Sequence, residues 1–519
     1  MDFWSGLVYN FYGNRNAFLR DKEAVYDYDR NLHVTYGELE ERSSRIAGYL
    51  TRRLGVKKGD RIGICACNRV EFFDLFFAAY KTGAILTTYN GLLMPWELKE
   101  LFNNETPAAI FCDSVYQEKL ESFRQELDFT PRFINLDAEG EAGYRHMLET
   151  EEMPVLPDPD PEDILMLIHT GGTTGTPKAA MISYRAVVCN SISTVLSHNL
   201  SPADTTYLML PLFHTAAWNS ISLGVLLAGG KIVLKKRFDA EEAYDIIEKE
   251  RPTFLLGVPT MYTRLSLSPR FETADFSSIR SMRCGAAPLP MALFETYDAR
   301  NLPLCNSYGL TECGPSNFSF PMRLVGQEEL RRKAGAVGQP YYFNKVRIVD
   351  DQDRELPPGH AGELQFSGPL TFSGYWNNPE ETAQVIHGDW IATGDIAVCD
   401  EDGYYTIIGR KKHMFISGGE NIFPIEIENI LMKHPAVQDC CVIGVEDSHW
   451  GEVGKALVQL VPGKPATAQE LSDFMKEYLP TIKRPRYIGF VEKIPRNSVG
   501  KLLLKEAEAL HLQVNGSVH

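Results

Sequence analysis

The sequence predicts an α/β fold: a large N-terminal domain of layered α/β subdomains with a β-rich part, followed by a small C-terminal α+β domain. Three observations predict it. Short apolar runs alternate with helical patterns through residues 35–297, which favours layered bodies with mainly parallel sheets. Beyond about residue 335 the runs are strand-like and separated by turn sequences. From Lys412 onward helix and strand patterns alternate again over about a hundred residues, the size of a compact domain. We therefore expect one domain over 1–411, its β-rich part over 335–411, and a second over 412–519. A chain of 519 residues is too long for one ordinary core, which agrees with that division.

In chain order, Thr35-Tyr-Gly-Glu38 reads as a capping box opening a helix with Leu39, Ser43, Ile46, Leu50 and Leu54 on one face. A strand over 61–67, a helix over 71–80 and a strand over 84–88 then make a βαβ unit. Further strands are expected over 164–168, 206–210, 231–234, 253–258 and 281–284, with helices over 239–249 and 290–297. The β-rich part carries strands over 346–350, 363–366, 395–399 and 404–408. The last unit carries a helix over 424–433, a strand over 437–445 and a helix over 468–478.

The formal net charge of −16 argues against nucleic acid as a partner, because phosphate contacts need a basic surface. Ten cysteines in a chain this long do not make a disulfide scaffold. Cys65-Ala-Cys67 lacks a second Cys/His cluster at metal-ligand spacing and sits in an apolar run, so buried free thiols are the better reading. No secretory signal opens the chain, and no window reaches the roughly 18 apolar residues of a membrane span. A soluble, cytoplasmic setting is expected. The oligomeric state is not readable, and a homodimer is compatible with the sequence.

The most informative segment is His169-Thr-Gly-Gly-Thr-Thr-Gly-Thr-Pro-Lys178, directly after the apolar run 164–168. Its glycines let the backbone approach an anion closely, its threonines add donors, and Lys178 adds charge. That is equipment for a polyphosphate. It is not a Walker A loop, since Thr176-Pro-Lys-Ala179 replaces the Gly-Lys-Ser/Thr ending. Taken alone, a flexible surface loop rich in turn residues would be the better reading.

Further motifs follow in order: Pro211-Leu-Phe-His214, Gly285-Ala-Ala-Pro288, Tyr308-Gly-Leu-Thr-Glu312, Trp390-Ile-Ala-Thr-Gly-Asp395, Gly409-Arg410, Gly418-Gly-Glu-Asn421 and Pro495-Arg-Asn-Ser-Val-Gly-Lys501. The ordered set resembles the adenylate-forming (AMP-binding) superfamily, in its acyl-CoA synthetase branch, from about residue 10 to about residue 505. The resemblance implies an ATP-dependent ligase that joins a carboxylic acid to AMP with release of pyrophosphate, then passes the acyl group to coenzyme A. ATP, Mg²⁺ and CoA are the implied cofactor and co-substrates.

It also implies roles. Thr170, Gly171, Gly172, Thr173, Thr174, Gly175, Thr176 and Lys178 would hold the ATP phosphates. Gly171 and Ala179 depart from the family's usual serine and glycine, which implies a changed loop and not a dead one. Gly285, Ala286, Ala287, Tyr308 and Gly309 would contact ATP or AMP, with Tyr308 stacked on adenine, and the small residues 285–287 would also leave room in the acid pocket. Thr311 and Glu312 would sit by the α-phosphate, Glu312 as a Mg²⁺ ligand. Asp395 and Arg410 would hold the ribose. Lys501 would bridge carboxylate and phosphate oxygens during adenylation. Lys412 matches a hinge about which the small domain moves, and Gly418 and Gly419 match the wall of a pantetheine tunnel. Apart from this set, Glu312, Asp395 or Lys501 would each read as an ordinary surface or turn residue.

The acid pocket is expected from Phe213, His214, Trp218, Asn219, Cys284 and Ser307. A direct chemical role for His214 is not favoured, since a histidine among apolar residues is more often a satisfied core side chain. No cation in these segments pairs with a second carboxylate, so an apolar monocarboxylic acid is expected, a medium- or long-chain fatty acid first. The alternatives are an aryl-CoA ligase, an enzyme loading a carrier protein, a luciferase-like oxygenase, and a non-enzymatic binding protein on the same fold.

Overall fold

The computed structural model describes residues 11, 18–140, 143–149, 160–171, 177–322, 324–496 and 502–514. Two largely parallel sheets form the body. The seven-stranded sheet runs in the order Leu304–Asn306, Ser281–Cys284, Phe254–Gly257, Thr205–Leu208, Lys231–Leu234, Glu23–Asp27, Leu32–Thr35, with only the last strand antiparallel. The six-stranded sheet runs Arg132–Asn135, Ala109–Cys112, Arg61–Cys65, Ile85–Thr88, Ile164–Thr170, Lys178–Ser183, again with only the last antiparallel. Parallel strands need helical crossovers that cover both faces, which is why they read as continuous apolar runs. The strands Ser281–Cys284 and Lys231–Leu234 fall at their expected bounds.

The helix Glu71–Thr82 has the sequence EFFDLFFAAYKT and buries all but one of its residues. A helix apolar on every side belongs inside. One continuous core unites Ile62, Leu86 and Met166 of the six-stranded sheet with Leu208, Ile232 and Phe254 of the seven-stranded one, through Phe72, Phe73 and Phe76. The capping box at Thr35 is present: its side chain accepts from Glu38 N, and Glu38 accepts from Thr35 N.

Glu71 is one of two buried carboxylates on that helix, with Asp74. Its carboxylate accepts from Arg30 at 2.7 and 2.9 Å and from Arg69 at 2.9 and 3.2 Å. Burial opposes ionisation, yet the two guanidinium groups hold its pKa down to about 2. A depressed carboxylate stabilises the fold above its ordinary value near 4.5 and loses that contribution as pH falls toward about 2. The ceiling is about 3 kcal/mol, less because Arg30 is partly exposed and screened. Thermal melts of Glu71→Gln should therefore show a shallower fall in melting temperature between about pH 5 and pH 2 than the parent. An identical fall would refute it.

The β-rich part is an antiparallel sheet of Lys345–Val349, Gly362–Ser367, Trp390–Cys399 and Ile386–His387, with Tyr405–Arg410 also paired to Trp390–Cys399. The last unit pairs Glu420–Ile422, Phe415–Ser417, Gly451–Leu460 and Val437–Asp447, with Tyr487–Phe490 alongside. Its core, including Ile427, Leu431, Val442, Val458, Leu471 and Ile488, is separate from that of the body. The described cysteines are all free and nine of the ten are buried. Cys67 lies past the end of its strand, where its N–H donates to Asp113. No helix among the described residues is long and apolar enough to cross a membrane.

Candidate active site

Three residues far apart in sequence meet where the β-rich sheet faces the seven-stranded one. Asp395 and Arg410 are directly opposite each other on neighbouring antiparallel strands. Arg410 Nε lies 2.6 Å from Asp395 Oδ1, and the Tyr308 hydroxyl donates to Asp395 Oδ2 at 2.5 Å. Asp395 is 3% exposed, and its N–H donates to Thr393 Oγ1. Burial, then the Asp395 charge, pushes the Tyr308 hydroxyl pKa well up. Burial pulls on Arg410, but Asp395 outweighs it and raises the guanidinium pKa. The Tyr308 ring lies nearly parallel to Phe366, centroids 6.3 Å apart.

Gly309 follows Tyr308 under tight constraint. A Cβ there would sit 1.8 Å from the Pro315 carbonyl oxygen, a backbone atom that cannot step aside. Gly309→Ala should displace Tyr308 and lower the melting temperature by several degrees, in line with overpacking costs of roughly 1–3 kcal/mol. An unshifted melt would show that the turn is free to relax.

Glu312 lies in the short 3₁₀ turn Thr311–Cys313 and accepts from the Tyr375 hydroxyl at 2.7 Å. Lys178 sits above the Tyr375 ring at 5.5 Å and pairs with Glu381 at 2.5 Å. Three backbone bonds hold this segment beside the strand Lys178–Ser183: Met181 N to Gly374 O, Ser373 N to Met181 O, and Trp376 N to Ala179 O. Tyr375 and Glu381 were not found by sequence reasoning. The available signal was Asn378-Pro379, an N-cap with proline at the first helical position, which places Glu381 on the first turn of Pro379–Val385.

Thr170 stands opposite Lys178 where the strands Ile164–Thr170 and Lys178–Ser183 pair, and its hydroxyl points at the Lys178 carbonyl. Gly171 is exposed. Gly172, Thr173, Thr174, Gly175, Thr176 and Lys501 lie outside the described residues. Gly285 is buried at the end of its strand, while Ala286 is exposed with φ +64°, a left-handed conformation unusual for alanine. Ala287 follows, half-buried.

The expected acid pocket divides. Phe213 and His214 lie together, ring centroids 4.7 Å apart. His214 Nε2 is buried and has no hydrogen-bond partner among the described residues. Burial, helped by a charge on His169, drops the His214 pKa to about 4. Ser307 donates to the Cys284 carbonyl through both its N–H and its hydroxyl. Two expectations need correction. Trp218 is fully buried; its indole N–H donates to Leu212 O at 2.6 Å, and Phe72, Phe73 and Phe76 surround it. It belongs to the core. The Cys284 thiol likewise packs in the core of the seven-stranded sheet, so only its backbone faces Ser307. Asn219 is 1% exposed, within the π-helical turn Trp218–Ser222; its Oδ1 has no partner among the described residues.

Lys412 is exposed in the short turn Lys411–His413 after Arg410. Gly418 and Gly419 form the two-residue turn between Phe415–Ser417 and Glu420–Ile422, with φ of +57° and +88°. Such a hairpin turn demands positive φ at both positions, so turn geometry alone accounts for the glycine pair.

A family model described as AMP-binding enzyme matches residues 14–376, and one described as AMP-binding enzyme C-terminal domain matches 426–501. A feruloyl-CoA synthase from Amycolatopsis sp is 34% identical over 91% of this chain and 93% of its own. An indoleacetate–CoA ligase from Aromatoleum aromaticum is 32% identical over 93% of both. The crystal structure of ATP-bound MatB from Rhodopseudomonas palustris superposes with a TM-score of 0.87 at 29% identity, covering 97% of this chain and 98% of that one. The chain belongs to the AMP-binding enzyme family. It is an AMP-forming acid–CoA ligase, with ATP and CoA as co-substrates.

Proposed function

We propose that this ligase activates an apolar monocarboxylic acid, with aromatic acids ahead of fatty acids. The names of the two relatives above, a feruloyl-CoA synthase and an indoleacetate–CoA ligase, support the aromatic reading. The neutral His214 beside Phe213, its Nε2 without a hydrogen-bond partner among the described residues, supports an apolar pocket without a second charge to satisfy. In the first step a carboxylate oxygen attacks the α-phosphorus, and the bond to pyrophosphate breaks. In the second the CoA thiol loses its proton and attacks the acyl carbonyl, and AMP leaves with the bonding pair.

The observation that carries the residue assignments is the convergence of Tyr308, Asp395 and Arg410 beside the Glu312–Tyr375–Lys178 chain. Asp395 would accept from the ribose hydroxyls in exchange for Tyr308, and Arg410 would stay paired with it. Residues 170–178 would hold the β- and γ-phosphates, with Lys178 released from Glu381. Glu312 fits a Mg²⁺ ligand: one carboxylate beside a phosphate site is the usual protein share, phosphate and water supplying the rest. That ion would neutralise phosphate charge. Lys501 would stabilise the charge that moves onto the α-phosphate during attack.

The unit from Lys412 onward is proposed as the mobile domain that presents Lys501 for adenylation and Gly418-Gly419 for thioester formation. Gly419 has open space around its Cα, so a larger residue there adds bulk without a clash, at the cost of φ strain. Gly419→Val should slow thioester formation roughly tenfold or more while pyrophosphate exchange stays near the parent rate, since a misplaced thiol forfeits near-attack geometry. Equal effects on both half-reactions would contradict the tunnel assignment. The substrate itself is tested by a panel of aromatic and fatty acids with ATP, Mg²⁺ and CoA, read as AMP release and thioester mass. Preference for long-chain fatty acids would overturn the aromatic reading.

A further inference from the structure

The residue that leads into the phosphate segment is His169, and it is 8% exposed. Its Nδ1 lies 3.0 Å from the Thr88 carbonyl oxygen, and its Nε2 lies 2.7 Å from Glu105 Oε1. The Tyr89 hydroxyl donates to the other Glu105 oxygen at 2.7 Å, and the Tyr89 ring stacks on the imidazole at 5.2 Å. Glu105 and Tyr89 are both fully buried. Thr88 Oγ1 in turn donates to the Phe213 carbonyl at 3.2 Å. A hydrogen-bonded chain thus runs Tyr89–Glu105–His169–Thr88–Phe213, from behind the phosphate segment to the wall of the acid site.

We propose that Glu105 holds His169 as an imidazolium, and that this buried pair is the positioning element that fixes Thr170, where the phosphate segment begins, against the Pro211–His214 wall. The proposal rests on the reading of residues 170–178 as the phosphate segment. A carbonyl oxygen can only accept, so Nδ1 carries a proton. The Tyr89 hydroxyl donates to Glu105 Oε2, and the second Glu105 oxygen faces Nε2, the place for the second imidazolium proton. Burial pulls the His169 pKa down, but the Glu105 charge and hydrogen bond outweigh it, and the net direction is upward. The titratable groups facing the pair are Tyr89, just past the strand Ile85–Thr88, and His214. Arg61 adds a donor, its Nε 2.6 Å from the Glu105 carbonyl. The charge on His169 also helps keep His214 neutral.

Glu105→Gln tests this with the fold kept. A glutamine amide can donate to a neutral His169 Nε2 while its carbonyl accepts from Tyr89, and His169 Nδ1–H still donates to Thr88. Every hydrogen bond survives and only the charge pair goes, because the buried imidazole can give up its second proton once its charged partner is gone. In the full-length protein, histidine ¹⁵N NMR should show both His169 nitrogens protonated at neutral pH, and a neutral ring in Glu105→Gln. Calorimetry should show ATP binding in Mg²⁺ buffer weakened roughly tenfold or more in that variant, with partial recovery in Glu105→Asp. A neutral His169 in the parent, or ATP binding in Glu105→Gln within about twofold of it, would overturn the proposal. Neither readout needs turnover, so a failure of the ligase reading, seen as absent pyrophosphate exchange across acids, is told apart from a failure of this one.

Discussion

Lys501→Ala should form acyl-adenylate roughly a hundredfold or more slowly than the parent, the scale of removing one charge-stabilising donor. The attack brings a carboxylate onto a phosphate, and a lysine bridging their oxygens offsets charge as it redistributes. The residues on either side of the segment that carries the lysine are anchored to each other and to a neighbouring strand. Arg496 and Leu502 pair across its neck, and Leu503 N donates to Pro495 O at 3.0 Å. Arg496 also grips Asp439 with two 2.7 Å bonds, tying the neck to the strand Val437–Asp447. Pyrophosphate exchange measures the first half-reaction. Transfer from a preformed adenylate to CoA should change far less, because the attack of carboxylate on phosphate is already complete in the adenylate. An unchanged exchange rate would remove Lys501 from the mechanism.

Glu312→Gln should be the second large loss, again roughly a hundredfold in adenylation, with a raised Mg²⁺ requirement. The substitution is close to isosteric, and the glutamine carbonyl can still accept from Tyr375, so the turn Thr311–Cys313 keeps its geometry. What goes is the charge. A titration of exchange rate against Mg²⁺ separates the outcomes: partial recovery at high Mg²⁺ supports a ligand role, and an unchanged Mg²⁺ dependence rules it out.

The alternating α/β body was legible because fully buried parallel strands leave unmistakable apolar runs, as at Ser281–Cys284 and Lys231–Leu234. The strand Lys178–Ser183 was not, since Lys178 and its neighbours read as the end of a phosphate segment and carry no β-branched run before Ile182. The meeting of Asp395 with Arg410 follows from a strand register that no local pattern encodes. Trp218 misled because a tryptophan in a pocket motif and one in a core look alike in sequence; only its neighbours Phe72, Phe73 and Phe76, far back in the chain, separate the two. His169 carried no signal at all. Its chemistry depends on Glu105, a helix-end acid 64 residues away.

The central claim is that this site joins an apolar acid to CoA through an adenylate. Quenched reactions with ATP, Mg²⁺, CoA and an aromatic acid panel, followed by mass spectrometry, test it most directly. The account predicts AMP and acyl-CoA in equal amounts, and an acyl-adenylate that accumulates when CoA is left out. ADP as the nucleotide product, or adenylate without any thioester when CoA is present, would contradict it.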